Sequence, residues 1–178
     1  MGTKGIQRFH CSRCPHRLTY LKGEPRQEGY IVLQFGQQYC TAGKKYRMFK
    51  KKDPKIYPPN WCPKLKKPCE FRVYDFKDAN TWYLHTLLKR KSPPDGYQYA
   101  VRLSGTVNLT PSAFFSMAKR KGASELLGVM VKIGKIVEID DGLTSNCFYL
   151  TLSGVKYLPY WDTARARKNE YACKNTDN

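Results

Sequence analysis

Acidic side chains are scarce in this chain. Fourteen Asp and Glu stand against 32 Lys and Arg in 178 residues, for a formal net charge of +18. That deficit excludes an acidic surface that imitates nucleic acid, and it favours anionic partners. Long apolar runs are also missing. No stretch approaches the roughly 18 uninterrupted apolar residues of a membrane span, and Met1 to His10 lack the apolar centre of a signal peptide. A soluble, cytoplasmic protein with no membrane partner is expected. Histidine is limited to His10, His16 and His85, and Asp140-Asp141 is the one adjacent acid pair, which Gly142 makes read as a turn. A nuclease needs an acidic metal cluster or a histidine pair, and a hydrolase needs a nucleophile with a base in reach. No motif supplies either, so the expectation is a protein that is not an enzyme.

Hydrophobic residues reach 41% and aromatics 13%, too much for a disordered basic tail despite a mean hydropathy of -0.62. The charge is uneven: residues 1–89 carry 19 basic and 6 acidic side chains, and residues 90–178 carry 13 and 8. Five of the seven cysteines, Cys11, Cys14, Cys40, Cys62 and Cys69, also lie in the first half. An odd count without a secretory signal argues for reduced thiols and metal binding over a disulfide framework. Asn108-Leu109-Thr110 matches a glycosylation acceptor, which carries no meaning in a cytoplasmic protein.

Strands are expected at Tyr30–Phe35, Phe71–Phe76 and Cys147–Leu152, an extended segment at Tyr97–Asn108, and a bent strand or hairpin over Val129–Ile139 with its break at Gly134. A helix is expected over Asp78–Lys91, closed by the cations Lys89-Arg90-Lys91 and stopped by Ser92-Pro93-Pro94-Asp95-Gly96. Thr110-Pro111 reads as an N-cap with proline at the first helical position, and Lys119-Arg120-Lys121-Gly122 as the matching end. Asp162–Asn178 reads as a frayed helix or tail. The fold class is α+β, with a zinc-stabilised, cysteine-rich basic part at 1–76 packed with a mixed strand and helix part at 77–178.

Cys11-Ser12-Arg13-Cys14 has the C-x2-C spacing that lets one tight turn present two thiolates to a tetrahedral metal. No second contiguous pair exists. Cys40, beyond the first strand, and Cys62, in the Tyr57-Pro58-Pro59-Asn60-Trp61-Cys62-Pro63 turn, complete a closed four-thiolate zinc site, with Cys69, His10 and His16 as alternative ligands. Such a site would anchor the long Thr41–Pro68 stretch. Within that stretch Lys44, Lys45, Arg47, Lys50, Lys51, Lys52, Lys55, Lys64, Lys66 and Lys67 face one acid, Asp53, and Tyr46, Phe49, Tyr57 and Trp61 interrupt them. Lysines neutralise phosphates, and aromatic faces such as Trp61 stack on bases or anchor the loop to the protein body, so this segment is the expected nucleic-acid-binding surface. Nine Lys to one Arg favours backbone contact over base reading.

The Cys11–Pro15 block, the Tyr39–Lys44 turn and Tyr57–Pro63 resemble small proteins carried by phages and mobile elements of Gram-positive gut bacteria. Among these the chain is similar in size and character to anti-CRISPR proteins that inhibit Cas9. The resemblance covers residues 8–76 and implies host-defence evasion by engaging a Cas9-type nuclease, DNA or RNA. It carries no inhibitory residue, because those proteins share no common signature. The alternatives are a DNA-binding regulator or replication accessory factor with no enzyme target, and a metal-dependent nucleic-acid enzyme.

Overall fold

The computed structural model describes residues 6–88 and 95–173. The expected helix-ending cations 89–91, the first part of the stop at 92–94 and the tail beyond 173 lie outside them. The fold is mixed α+β and divides into two compact units. Arg8–Leu65 forms one, here the ribbon unit; Lys66 onward, joined by the residues up to Gln7, forms the other, the sheet unit. The division therefore falls at 65/66 and not at 76/77, because Phe71–Phe76 belongs to an interior strand of the larger sheet.

The ribbon unit is built from short strands, as its Lys, Pro and Gly content dictates. After a single turn of 3-10 helix at Cys11–Arg13 come β1 (Arg17–Thr19), β2 (Arg26–Glu28), β3 (Ile31–Leu33), β4 (Gln38–Cys40) and β5 (Arg47–Met48). They pair antiparallel as a three-stranded sheet, β1-β4-β5, and a β2-β3 hairpin. The expected strand at Tyr30–Phe35 shrinks to Ile31–Leu33, since Gly29 and Gly36 adopt positive φ at its two sides.

The sheet unit contains β6 (Cys69–Phe76), α1 (Ala79–Leu87), β7 (Tyr99–Val107), α2 (Pro111–Lys121), α3 (Ala123–Leu127), β8 (Ile136–Asp140), β9 (Ser145–Thr151), β10 (Gly154–Leu158) and α4 (Thr163–Cys173). Its antiparallel strand order is β10-β9-β8-β6-β7. Alternation on β6 sends Phe71 and Val73 to a core with Phe114 and Ala118 of α2 and Phe148 of β9. Gly105 on β7 is required there, because a Cβ would lie 2.8 Å from the Phe71 ring. The opposite face gathers Tyr74, Phe76, Tyr99 and Ile136 with Ala166 of α4. Among the described residues no helix is long and apolar enough to cross a membrane.

The cap of α2 is as the sequence predicts: Thr110 Oγ1 accepts from Ala113 N at 3.3 Å, proline follows, and Gly122 ends the helix with φ 84°. The Val129–Ile139 expectation is corrected. Only Ile136–Asp140 is strand, because Ser124 Oγ bonds both Val131 N and Val131 O, holding the preceding segment to α3. Gly134, at φ 88°, then turns the chain into the sheet and donates to Leu150 O at 2.8 Å. Of the helix or tail expected over Asp162–Asn178, the residues Thr163–Cys173 are the helix α4.

Glu138 of β8 has 0% exposure and is fully surrounded by donors. Tyr74 Oη donates at 2.5 Å, Ser145 Oγ and Arg167 Nη2 also donate to it, and Arg72 Nη1 lies at 3.5 Å. Arg167 Nε reaches Tyr74 Oη at 3.3 Å, so the only α4 cation in the cluster bonds both the acid and its phenol. Removing one partner of such a buried group leaves the others uncompensated. Glu138→Ala is expected to lower unfolding stability by about 3–5 kcal/mol, read as a lower urea midpoint with unchanged slope.

Burial pushes the Tyr74, Tyr99 and Tyr149 phenols above their ordinary range near 10.0, with the Glu138 charge adding to the rise at Tyr74. The folded state thus holds these protons more tightly than the unfolded chain. Their contribution is complete below about pH 10 and is lost as pH climbs above it. The urea midpoint should fall as pH rises from about 10 towards 11; a midpoint unchanged at pH 11 would contradict the assignment.

Candidate nucleic-acid interface

The ribbon unit carries 13 basic side chains and three acidic ones, Glu24, Glu28 and Asp53, or +10 of the chain's +18. Two of the acids are committed within the unit. Glu28 pairs with Arg26 at 2.7 Å. Asp53 accepts from Lys50 N at 2.8 Å and from Trp61 Nε1 at 3.2 Å, and Asp53 N donates back to Lys50 O. The backbone N–H of Lys50, and then the Trp61 N–H, hold the Asp53 carboxyl below its ordinary value. One carboxylate therefore sets both the Lys50–Asp53 turn and the position of Trp61.

Guanidinium groups and rings complete this arrangement. The Arg47 guanidinium lies 4.7 Å from the Trp61 ring centre, Phe49 packs on Trp61 at 5.1 Å, and the Arg17 guanidinium covers Phe49 at 4.4 Å. Arg17 also donates to Lys55 O at 2.7 Å. Trp61 is half-buried in this stack and anchors the loop, one of the two roles expected of the segment's aromatics.

Lys44, Lys50, Lys51, Lys52, Lys55 and Lys64 are exposed and have no ion pair among the described residues. Lys66 and Lys67 fall in the sheet unit. Lys66 Nζ pairs with Glu70 at 3.0 Å and Asp140 at 3.3 Å, so its charge is neutralised locally. On α2, Lys119 rests over the Phe115 ring and Lys121 pairs with Glu125 at 3.4 Å. The unneutralised charge of the Lys44–Lys67 run thus concentrates on the ribbon unit's turns.

Two hollows flank β5. One, of about 470 Å³, is lined by Glu28, Gly29, Tyr30, Ile31, Lys44, Lys45 and Tyr46. The other, of about 330 Å³, is lined by residues that include Cys40, Gly43, Arg47, Trp61 and Pro63, and it shares Lys45 and Tyr46 with the first. Tyr30 had no assigned role in the sequence, where it reads as the first residue of a strand. In the fold it sits at the tip of the β2-β3 hairpin with 90% exposure, and Lys45 Nζ lies 4.8 Å from its ring centre. An aromatic next to the Gly29 turn was the available signal.

The four expected metal ligands all lie in the ribbon unit. Cys11 and Cys40 are buried, and Cys14 and Cys62 are half-buried. Cys14 N donates to Cys11 O at 3.1 Å and Arg17 N to Cys14 O at 3.0 Å, a tight turn feeding β1, where Arg17 stands opposite Cys40. Burial raises the Cys11 thiol above its ordinary value; Arg17 opposes the rise, and the neighbouring Cys14 and Cys62 add to it. Among the described residues, no group of three or more His, Cys, Asp and Glu side chains is arranged to hold a metal ion. Of the alternative ligands, Cys69 is buried in the core of the sheet unit, and His10 packs edge-on against Tyr57.

No family model, curated protein or solved structure matches the chain. The interface is therefore characterised by its own residues.

The Asp53 contacts generate a direct test. Asp53→Ala releases the Lys50–Asp53 turn and Trp61, and limited trypsin digestion should then cut after Lys50, Lys51 and Lys52 faster than in the parent protein. Equal cleavage rates would show that the carboxylate does not hold the turn.

Proposed function

We propose that the protein is a nucleic-acid-binding protein whose ribbon unit is the binding surface, stabilised by zinc, and that it acts without catalysis. One observation carries the reading: six lysines of that unit are exposed with no ion pair among the described residues, while two of its three acids are engaged in contacts within it. Charges of one sign held close together repel, and polyanionic phosphate relieves that repulsion with release of counterions. A solvated face that served solubility alone would intersperse both signs.

Zinc enters through the unit's lack of a core. Among the described residues both hydrophobic clusters belong to the sheet unit, and the buried apolar side chains of Arg8–Leu65 are Cys11, Tyr20, Leu33, Cys40 and Pro59. A segment of this size with so little burial ordinarily depends on disulfides or a metal. Its cysteines are free thiols. Cys11, Cys14, Cys40 and Cys62 match the soft donor set that zinc favours. No feature of the fold favours a Cas9-type nuclease target over nucleic acid itself, and that reading enters as an outcome of the test.

Purified protein is expected to contain near-stoichiometric zinc, lost together with folding on Cys11→Ser and Cys14→Ser. A metal-free folded protein ends the zinc assignment. Nucleic-acid affinity should fall steeply with salt, and neutralising Lys50, Lys51 and Lys52 to Gln should flatten the log–log slope by about 2–3. An unchanged slope would make the Lys50–Lys52 turn a solvated surface. Inhibition of Cas9 cleavage that persists under excess competitor DNA would move the target from nucleic acid to the nuclease.

A further inference from the structure

We infer that the hollow between the β2-β3 hairpin and the Lys44–Tyr46 segment binds single-stranded nucleic acid, with Tyr30 as the base-stacking platform and Lys44 and Lys45 as phosphate contacts. This rests on the nucleic-acid reading above and specifies which form of nucleic acid the same surface takes.

The first argument is what the ribbon unit presents. Reading a duplex usually requires a helix, or a two-stranded ribbon, lying in the major groove. Among its described residues the unit has no α-helix, only the three-residue 3-10 turn Cys11–Arg13. Its one two-stranded ribbon has three-residue strands, too short to follow the major groove.

The second argument is the chemistry of the hollow. Single strands are bound by pairing a cationic track with exposed rings on which unpaired bases stack, and stacking tolerates any sequence because every base has a π-face. Leu33 is buried at 1%, so strand alternation turns Val32 outward, at 49% exposure, and the exposed Tyr30 stands beyond it at the hairpin tip. Lys45 Nζ lies against the Tyr30 ring, yet the side chain remains 90% exposed, so most of its surface is open to a ligand. Tyr46 lines the same hollow, is 41% exposed and is braced by Tyr39, whose ring centre lies 5.6 Å away. Lys44 sits beside it without an ion pair among the described residues. At about 470 Å³ the hollow falls within the range of clefts that take small organic groups, about 300–1,000 Å³. Glu28 lines the same cleft but is paired with Arg26 at 2.7 Å, which leaves two rings and two ammonium groups to meet a base with its flanking phosphates.

The test is fluorescence anisotropy of the full chain with labelled oligo-dT, oligo-U and a duplex of equal length, at several salt concentrations. Either single strand is expected to bind about tenfold or more tighter than the duplex. Tyr30→Ala should weaken single-strand binding about tenfold, the loss of one stacked base, with the salt slope unchanged and duplex binding unaffected. Tyr30→Trp should restore it. Lys44→Gln with Lys45→Gln should instead reduce the single-strand slope by about 1.4. Tyr30 is almost fully exposed, and circular dichroism of each variant verifies that the fold is kept. Duplex binding equal to or tighter than single-strand binding, or a Tyr30→Ala variant with parental affinity, overturns the inference and leaves the nucleic-acid reading standing. Absence of binding to all three probes overturns both.

Discussion

The ribbon unit has to hold its shape while carrying +10 and burying almost nothing. That constraint decides how its side chains are used. Arg17 and Arg47 lie over Phe49 and Trp61, so part of the charge is spent on ring contacts that stand in for a core. Asp53, with three hydrogen bonds, fixes the turn from which Lys50, Lys51 and Lys52 project. The remaining lysines are left facing outward, where their like charges repel one another. Guanidinium and ammonium groups are thus used differently, in keeping with the planar stacking of the first and the compact charge of the second.

The sheet unit handles charge in the opposite way. Glu138 is enclosed, and Arg72, Tyr74, Ser145 and Arg167 all turn towards it from two strands and a helix. No substrate-sized opening is needed to explain any member of that cluster, because each is satisfied by another. It fixes the register of β6, β8 and β9 and ties α4 to the face that carries Tyr74 and Tyr99. One chain therefore contains a unit organised around exposed cations and a unit organised around a hidden anion.

The sequence made some of this legible and concealed the rest for identifiable reasons. Thr110-Pro111 and Gly122 announced α2 because capping is local chemistry, and the alternation of Phe71 to Tyr74 announced the two faces of β6. The strand β10 and helix α3 are short and gain definition from tertiary partners, and α4 lacks a clear apolar stripe, so their patterns were weak. Lys66 looked like part of the basic run, yet its acid partner Asp140 lies 74 residues away in sequence. Tyr30 looked like ordinary strand material; its exposure depends on the hairpin turn and on which face Leu33 occupies. The glutamate at 138 carries no motif, and only the pairing of distant strands reveals what surrounds it.

Synthesis order gives the Glu138 cluster a further meaning. Arg72, Tyr74, Glu138 and Ser145 are all made before Arg167, which arrives with the eleven residues of α4. Until then the sheet has its hydrogen-bonded ladder while one oxygen of the carboxylate lacks its α4 cation and Tyr99 lacks the helix that packs beside it. The ribbon unit ends at Leu65 and is made before any of these residues. As the chain emerges from the ribosome, the unit that bears the buried acid gains its Arg167 contact only once α4 has appeared.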